Sequence, residues 1–238
     1  MKLDILAFGA HPDDVELGAG GTLAKQQKLG YKTGIVDLTR GEMGTRGTPE
    51  IRDAEARKAA DILGCAVREN LGLRDGFLVN DEASQTAVIK IIRKYQPDVI
   101  LINAPRDRHP DHGVASELLV QASFKAGFTK LETELDGKKQ SAWRPKVLYK
   151  YIQFYDLKPD FVVDITGFMP QKMESILAHS SQFYNPNSEE PETVIASKNF
   201  LESLEARAQE YGRSIYAQHG EGFIVERVVG VEELMKLR

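Results

Sequence analysis

Short apolar runs alternate with longer segments of helical spacing along most of this chain. Runs such as 3–8 and 98–103 are almost wholly apolar, which is typical of strands that are buried on both faces. The alternation predicts an α/β fold, a doubly wound and mostly parallel sheet of Rossmann-like form with flanking helices, in a single domain spanning 1–238. The predicted strands cover 3–8, 33–38, 67–71, 98–103, 147–154, 161–165 and 222–231, and the predicted helices cover 17–29, 51–63, 83–95, 169–179 and 193–211.

One segment departs from this alternation. Residues 129–143 are mostly polar and contain Asp136-Gly137-Lys138-Lys139, which predicts an exposed loop. No apolar run approaches the roughly 20 residues that a membrane helix needs. We therefore expect no membrane-spanning segment.

Composition and charge narrow the functional classes. The 238 residues are 42% hydrophobic and 28% charged, which is ordinary for a globular protein. A formal net charge of −4 gives no global basic field that would recruit nucleic acid. The single cysteine excludes an intramolecular disulfide and a cysteine-based zinc knuckle. The start of the chain lacks a signal-peptide pattern, so we expect a cytoplasmic enzyme without nucleic-acid or membrane partners.

Two similar polar motifs follow two of the predicted strands. His11-Pro12-Asp13-Asp14 comes after the first strand, and His109-Pro110-Asp111-His112 comes after strand 98–103. Ligands bind outside the carboxyl ends of strands in open α/β sheets, so both motifs lie where chemistry is expected. Imidazole and carboxylate groups are suitable ligands for zinc or another divalent cation. The pair of motifs predicts a metal site.

The composition of the motifs favours a catalytic rather than a structural site. Two histidines and one carboxylate leave an open coordination position, which catalytic zinc requires. The proline beside each leading histidine predicts a stiff loop outside the helices. A single His-Pro-Asp loop is more often a turn, but a second one at another strand end favours the metal site.

The motifs resemble those of the PIG-L/LmbE-like family of zinc N-acetylglucosaminyl deacetylases. The resemblance rests on the segment from Ala10 to Glu16, the glycines of Gly18-Ala19-Gly20-Gly21 and the second histidine motif, and it extends over nearly the whole chain. It implies hydrolysis of the N-acetyl group of an N-acetylglucosamine conjugate. The favoured substrate is N-acetylglucosaminyl-malate of bacillithiol biosynthesis, and another N-acetylated sugar is the alternative. Thr39-Arg40-Gly41-Glu42, Arg52 and Glu55 also match the family pattern.

The resemblance also implies roles for individual residues. A zinc ion, or Fe²⁺ or another divalent ion in its place, would take three ligands from the two motifs. The catalytic groups would be a carboxylate base, a protonated histidine and a carboxylate that orients its neighbours. The family further implies a homo-oligomer, with a hexamer as the favoured size. The implied ligands are His11, Asp14 and His112, the catalytic residues Asp13, His109 and Asp111, and the substrate contacts Arg52 and Glu42.

The chemistry of amide hydrolysis agrees with this set of groups. An amide is a poor electrophile, and water is a poor nucleophile near neutral pH. Zinc polarises the carbonyl and lowers the pKa of water to about 7. A carboxylate can move the proton to the leaving amine, and a cationic imidazole can stabilise the oxyanion. The two motifs supply a metal site, a base and a cation.

Three other functions stay open from the residues alone. A dinucleotide could bind at Gly18-Ala19-Gly20-Gly21, with Asp37 on the ribose, although Leu23 stands where the third glycine belongs and Asp13 and Asp14 would repel a pyrophosphate. A non-heme iron oxygenase also uses two histidines and one carboxylate. A sugar-binding module would have little use for a base beside the metal. Measurements of metal content and of amine release from an N-acetylated sugar distinguish these three functions from a deacetylase.

Overall fold

A seven-stranded sheet with helices on both faces forms the body of the protein. The computed structural model describes residues 1–236, and no helix in that range combines the length and apolarity that a membrane crossing requires. The strands are β1 Ile5–Gly9, β2 Thr33–Thr39, β3 Val67–Leu73, β4 Val99–Asn103, β5 Glu134–Leu135, β6 Lys138–Lys139, β7 Val147–Tyr151, β8 Phe161–Asp164 and β9 Gly220–Val225. The α-helices are α1 Asp14–Lys28, α2 Pro49–Leu63, α3 Glu82–Tyr95, α4 Pro110–Lys125, α5 Met169–Leu177 and α6 Lys198–Ser214.

The order of the strands confirms the predicted doubly wound, mostly parallel sheet. The order is β3-β2-β1-β4-β7-β9-β8, and the first five of these strands run parallel to one another. The exception is β9, which pairs antiparallel with both β7 and β8. The direction in which successive strands are added to the sheet reverses between β1 and β4, because β2 and β3 lie on one side of β1 and β4 lies on the other. This is the switch point at which α/β sheets bind ligands.

The two faces of β1 pack against different sets of helices. In β1, Leu6 and Phe8 belong to the apolar cluster that includes side chains of α3 and α4. Ile5 and Ala7, on the other face, belong to the cluster with α1 and the end of α2. Both faces of β1 are buried. This explains why its sequence is a continuous apolar run rather than an alternating one.

Two elements differ from the prediction. Helix α4 was not predicted, and it begins at Pro110. Proline is favoured at the first helical position, where its missing N–H has no partner to lose. The expectation that proline holds this motif outside a helix is therefore wrong, and His112 lies in the first turn of α4. The predicted loop 129–143 contains the short antiparallel hairpin of β5 and β6.

Two of the glycines after the first motif, Gly18 and Gly21, let α1 pack closely against neighbouring side chains. They lie inside the helix, which starts at Asp14, and not in a loop ahead of it. A Cβ atom at Gly18 would stand 2.1 Å from Cδ2 of Tyr151, and one at Gly21 would stand 2.7 Å from Cδ1 of Ile165. The phosphate-binding turn that a dinucleotide site needs is therefore absent from this stretch.

Replacement of two of these glycines by alanine should have different effects on the stability of the protein. Gly18→Ala should destabilise the protein by about 1–3 kcal/mol, because the new methyl group overlaps the Tyr151 ring. Gly20→Ala should be neutral or stabilising by up to about 1 kcal/mol, since its methyl group would lie 3.5 Å from Cγ of Lys172 and alanine favours helix. Urea unfolding measures both. Equal effects of the two changes would contradict the packing argument.

Candidate active site and metal centre

The two histidine motifs meet at the carboxyl ends of β1 and β4. His11 follows β1, Asp14 is the first residue of α1, and His109 is the N-cap of α4. They line a cleft with a volume of about 250 Å³. The two predicted motifs therefore meet at the switch point of the sheet.

Three side chains that can bind a metal converge at one end of the cleft. Nδ1 of His11 lies 3.3 Å from Nε2 of His112. The Asp14 carboxylate lies 3.6 Å from His11 Nδ1 through Oδ2 and 3.2 Å from His112 Nε2 through Oδ1. In a tetrahedral zinc site with bonds of about 2 Å, neighbouring donors are about 3.3 Å apart. The residues present therefore fit a divalent cation at the predicted position.

Further donors surround this set. The nitrogens of His11, His109 and His112 lie within 4.8 Å of one another. A second group, formed by His11, Asp75 and Asp111, meets the same limit. His11 belongs to both groups, so it is the centre of the cluster.

Hydrogen bonds hold the Asp14 carboxylate in place. Its Oδ1 accepts a hydrogen bond of 2.6 Å from Gln153, and its Oδ2 accepts bonds of 3.0 Å from Asn103 and from the backbone N–H of His11. Burial opposes ionisation, but the charge of His112 holds the pKa of Asp14 well below its usual range. The Asp14 carboxylate is therefore oriented and ionised.

The imidazoles of His11 and His112 bind protons tightly when no metal is present. Burial would lower the pKa of His112, but the Asp14 carboxylate raises it to about 9. Hydrogen bonds to carboxylates likewise outweigh burial at His11 and raise its pKa. Because a metal binds the neutral imidazole, the cation must displace these protons.

Asp13 is buried beside the ligands in a strained backbone conformation. Its φ angle is 124°, which costs a residue with a side chain about 1–3 kcal/mol. Arg52 stabilises this turn, because its Nη2 donates to the carbonyl of Pro12 and lies 3.5 Å from Oδ2 of Asp13. Burial raises the pKa of Asp13 to about 6 despite the nearby guanidinium. A carboxyl group with such a pKa can both accept and return a proton near neutrality.

A glycine makes the position of Arg52 possible. Nη1 of Arg52 donates to the carbonyl of Gly41 at 2.8 Å. Gly41 has a φ angle of 66°, and a Cβ atom there would stand 1.8 Å from Nη1 of Arg52. The loop after β2 therefore needs glycine for the arginine to reach Asp13.

His109 is held by the helix that it caps. Its Nδ1 accepts the backbone N–H of Asp111 at 3.3 Å, so the ring proton of the neutral imidazole lies on Nε2. Burial and the neighbouring His11 lower the pKa of His109. The protonated form that the family implies for His109 stays a prediction, and the Nδ1 contact leaves Nε2–H as the donor of the neutral ring.

The acidic residues around His11 include one that the sequence analysis missed. Asp75 follows β3, and its Oδ1 lies 3.0 Å from Nε2 of His11. Asp111, expected to orient a neighbour, has its Oδ2 3.6 Å from the same nitrogen and accepts the N–H of Gly76. The available signal was positional, since Asp75 follows a strand of the same parallel sheet.

The two predicted substrate contacts lie in different surroundings. Arg52 lines the cleft, and its Nε has no hydrogen-bond partner. Glu42 is exposed and does not line the cleft, and its Oε1 accepts the backbone N–H of Asp75 at 2.9 Å. For Glu42, contact with a substrate stays a prediction.

Two comparisons with known proteins identify the family. The family described as PIG-L, GlcNAc-PI de-N-acetylase, matches residues 6–123, which contain both histidine motifs. The diacetylchitobiose deacetylase of Thermococcus kodakarensis is 30% identical over 194 residues, covering 75% of this chain and 70% of that protein. The chain belongs to the PIG-L family. The resemblance inferred from the motifs is thereby confirmed.

Other proteins similar to this PIG-L chain extend the comparison. The probable N-acetyl-alpha-D-glucosaminyl L-malate deacetylase 2 of Bacillus anthracis is 26% identical and covers 75% of this chain and 81% of its own length. The solved structure of the conserved protein TT1542 from Thermus thermophilus has a TM-score of 0.85 and 36% identity, with 97% of this chain and 98% of that chain covered. The fold of the PIG-L family therefore extends over nearly the whole chain.

Metal binding should release protons and weaken as the pH falls. The metal-free protein should bind about one divalent cation per chain. Below the His112 pKa of about 9, that imidazole must first lose a proton, so affinity should fall by up to about tenfold per pH unit for each protonated ligand. Calorimetric titration in buffers of different ionisation enthalpy measures the protons released. Affinity that does not change between about pH 6 and 8 would contradict this.

Proposed function

We propose that this PIG-L protein hydrolyses the N-acetyl group of an N-acetylglucosamine conjugate and releases acetate and the free amine. One observation carries the proposal. Asp13 and His109 line the same cleft as the converging His11, Asp14 and His112 donors. Amide hydrolysis needs a metal site, a base and an oxyanion donor within reach of one carbonyl group.

We propose zinc as the cation, with Fe²⁺ or another divalent ion as the alternative. His11, Asp14 and His112 would hold it, because two imidazoles and one carboxylate suit zinc and leave room for substrate. When bound, such a cation supplies the Lewis acidity that activates water and polarises an amide carbonyl.

Asp13 is the proposed general base. Its buried carboxylate accepts the proton of the water molecule that attacks the carbonyl carbon. The same carboxyl group then gives that proton to the amide nitrogen as the C–N bond breaks, so that the amine leaves neutral. Arg52, 3.5 Å from Asp13, holds the carboxylate in position during both transfers.

His109 is the proposed oxyanion donor. Its Nδ1 caps α4, and Nε2–H is therefore the group that can donate to the carbonyl oxygen as negative charge develops there. A neutral donor with a fixed direction is sufficient for this role. Asp111 orients the ring through its backbone N–H.

The walls of the cleft support a conjugate with an anionic aglycone. Leu17, Phe154 and Phe200 form an apolar wall that suits the face of a sugar ring. Arg46 and Arg108 also line the cleft. Two guanidinium groups suit a dicarboxylate, so we propose N-acetylglucosaminyl-malate, with bacillithiol biosynthesis as its setting. The similarity to the Bacillus anthracis malate deacetylase supports the same substrate.

Other contacts and properties complete the proposal. The unpartnered Nε of Arg52 and the second carboxylate oxygen of Glu42 are the proposed partners of sugar hydroxyl groups. A homo-oligomer, with a hexamer as the favoured size, stays a prediction from the family, and a cytoplasmic location stays a prediction from the sequence.

A panel of three substrates tests the proposed function. The zinc-loaded protein is assayed for free amine from N-acetylglucosaminyl-malate, diacetylchitobiose and N-acetylglucosamine. We expect kcat/KM to be at least about tenfold higher for the malate conjugate, since guanidinium–carboxylate pairs are strong charge-assisted hydrogen bonds. A preference for diacetylchitobiose would overturn the malate proposal and keep the deacetylase. No amine from any substrate would overturn the deacetylase itself.

Changes at the two catalytic positions should lower turnover without loss of metal. Asp13→Asn should reduce kcat about 100-fold or more, because the amide cannot accept the proton of water. His109→Gln should reduce kcat about 100- to 1000-fold through loss of an oriented donor. Metal analysis provides the control, since neither residue is a proposed ligand. If Asp13→Asn loses its metal, Asp13 is a ligand and the roles of Asp13 and Asp14 are reversed.

A further inference from the structure

We infer that Asp75 is the positioning residue for the metal ligand His11, because it fixes which ring nitrogen faces the cation. The inference rests on the metal site of the proposed function and assigns a role to a residue outside both histidine motifs. Asp75 is buried, with 4% of its surface exposed. It lies in the loop after β3, which is outside both motifs in the sequence.

The two nitrogens of the His11 ring face different partners. Nδ1 faces the inside of the proposed metal site, 3.3 Å from Nε2 of His112. Nε2 faces outwards, 3.0 Å from Oδ1 of Asp75. The contact with Asp75 is an ion pair, and Nε2 makes no hydrogen bond within the described residues. Because a carboxylate accepts hydrogen bonds and cannot donate one, this contact favours the ring proton on Nε2, with the lone pair of Nδ1 towards the metal site.

Asp75 is itself fixed by contacts on its other side. Its Oδ2 accepts the backbone N–H of Met43 at 2.8 Å, and its own backbone N–H donates to Oε1 of Glu42 at 2.9 Å. Both carboxylate oxygens therefore have partners, one on the ligand ring and one on the loop after β2. A carboxylate held at both oxygens can orient a histidine, because it cannot rotate away.

A second acidic residue separates the effect of close contact with the ring from that of charge alone. Asp111 is as well buried as Asp75, with 3% of its surface exposed. Its Oδ2 lies 3.6 Å from His11 Nε2, beyond an ordinary hydrogen bond, and accepts the N–H of Gly76 at 2.8 Å. Loss of either negative charge should weaken cation binding, but only loss of Asp75 should release the ring.

Asparagine cannot replace Asp75 without loss of one contact. If its amide oxygen accepts from Met43, its NH₂ group faces His11 Nε2 and favours the tautomer with the proton on Nδ1. That tautomer cannot bind the cation through Nδ1. If the amide is turned the other way, its NH₂ group faces the N–H of Met43 and the loop loses its anchor.

Zinc titrations of three proteins test the inference. Wild type, Asp75→Asn and Asp111→Asn are prepared metal-free and titrated with zinc against a competing chelator at one pH. We expect Asp75→Asn to bind about one zinc per chain with 10- to 100-fold lower affinity, as is usual when the partner of a metal-ligating histidine is removed. For Asp111→Asn we expect a smaller effect, with a change in log Kd for zinc below about a third of the change in Asp75→Asn. Asp75→Ser should show the same loss as Asp75→Asn and replaces it if that variant does not fold.

Each result has one meaning. Equal losses in Asp75→Asn and Asp111→Asn would overturn the inference, since charge alone would explain them. Unchanged affinity in Asp75→Asn would also overturn it. If wild type binds two zinc ions and Asp75→Asn only one, Asp75 is a ligand and not a positioning residue. If wild type binds no zinc, the metal site of the proposed function fails first.

Discussion

The candidate site depends on β1 and β4 lying side by side as parallel strands. Their pairing brings two loops that are distant in sequence to the same edge of the sheet. The side chain of Asn103, at the end of β4, joins them, since its Oδ1 accepts the N–H of Ala10 and its Nδ2 donates to Asp14. Fully buried, this amide has partners on both sides, as a buried polar group requires. The positions of the metal donors follow from this one contact between strands.

The burial of many charged groups in a small volume is the main energetic cost of this site. Each buried charge must be paired or hydrogen-bonded, because isolated burial is strongly unfavourable. A second cluster behind the site follows the same rule. Arg68 makes hydrogen bonds of 2.8 and 2.9 Å to Asp37 and also pairs with Glu16, which lies 3.1 Å from His179. His179 is fully buried and makes this contact with Glu16 through Nε2.

Rigid surroundings hold the strained backbone of Asp13 in place. The turn places the Asp13 carboxylate in the cleft and lets α1 begin at the next residue. Arg52 stabilises this turn from α2, and Gly18 allows the ring of Tyr151 to pack directly against α1. Strain of this kind persists only where the packing around it leaves no alternative. The close packing of α1 is therefore part of how the site is kept in place.

The sequence by itself determined the α/β class, the parallel arrangement and the two histidine motifs. These depend on short-range features, namely the period of apolar residues and the order of a few neighbouring side chains. The start of α4 was missed because the proline of His109-Pro110-Asp111-His112 looked like a helix breaker. Only the tertiary structure decided that Asp75 contacts His11, that His109 caps a helix through Nδ1, and that Glu42 holds a backbone N–H. Those contacts join residues from different loops, and a carboxylate's partner depends on distances of a few tenths of an ångström that no local pattern encodes.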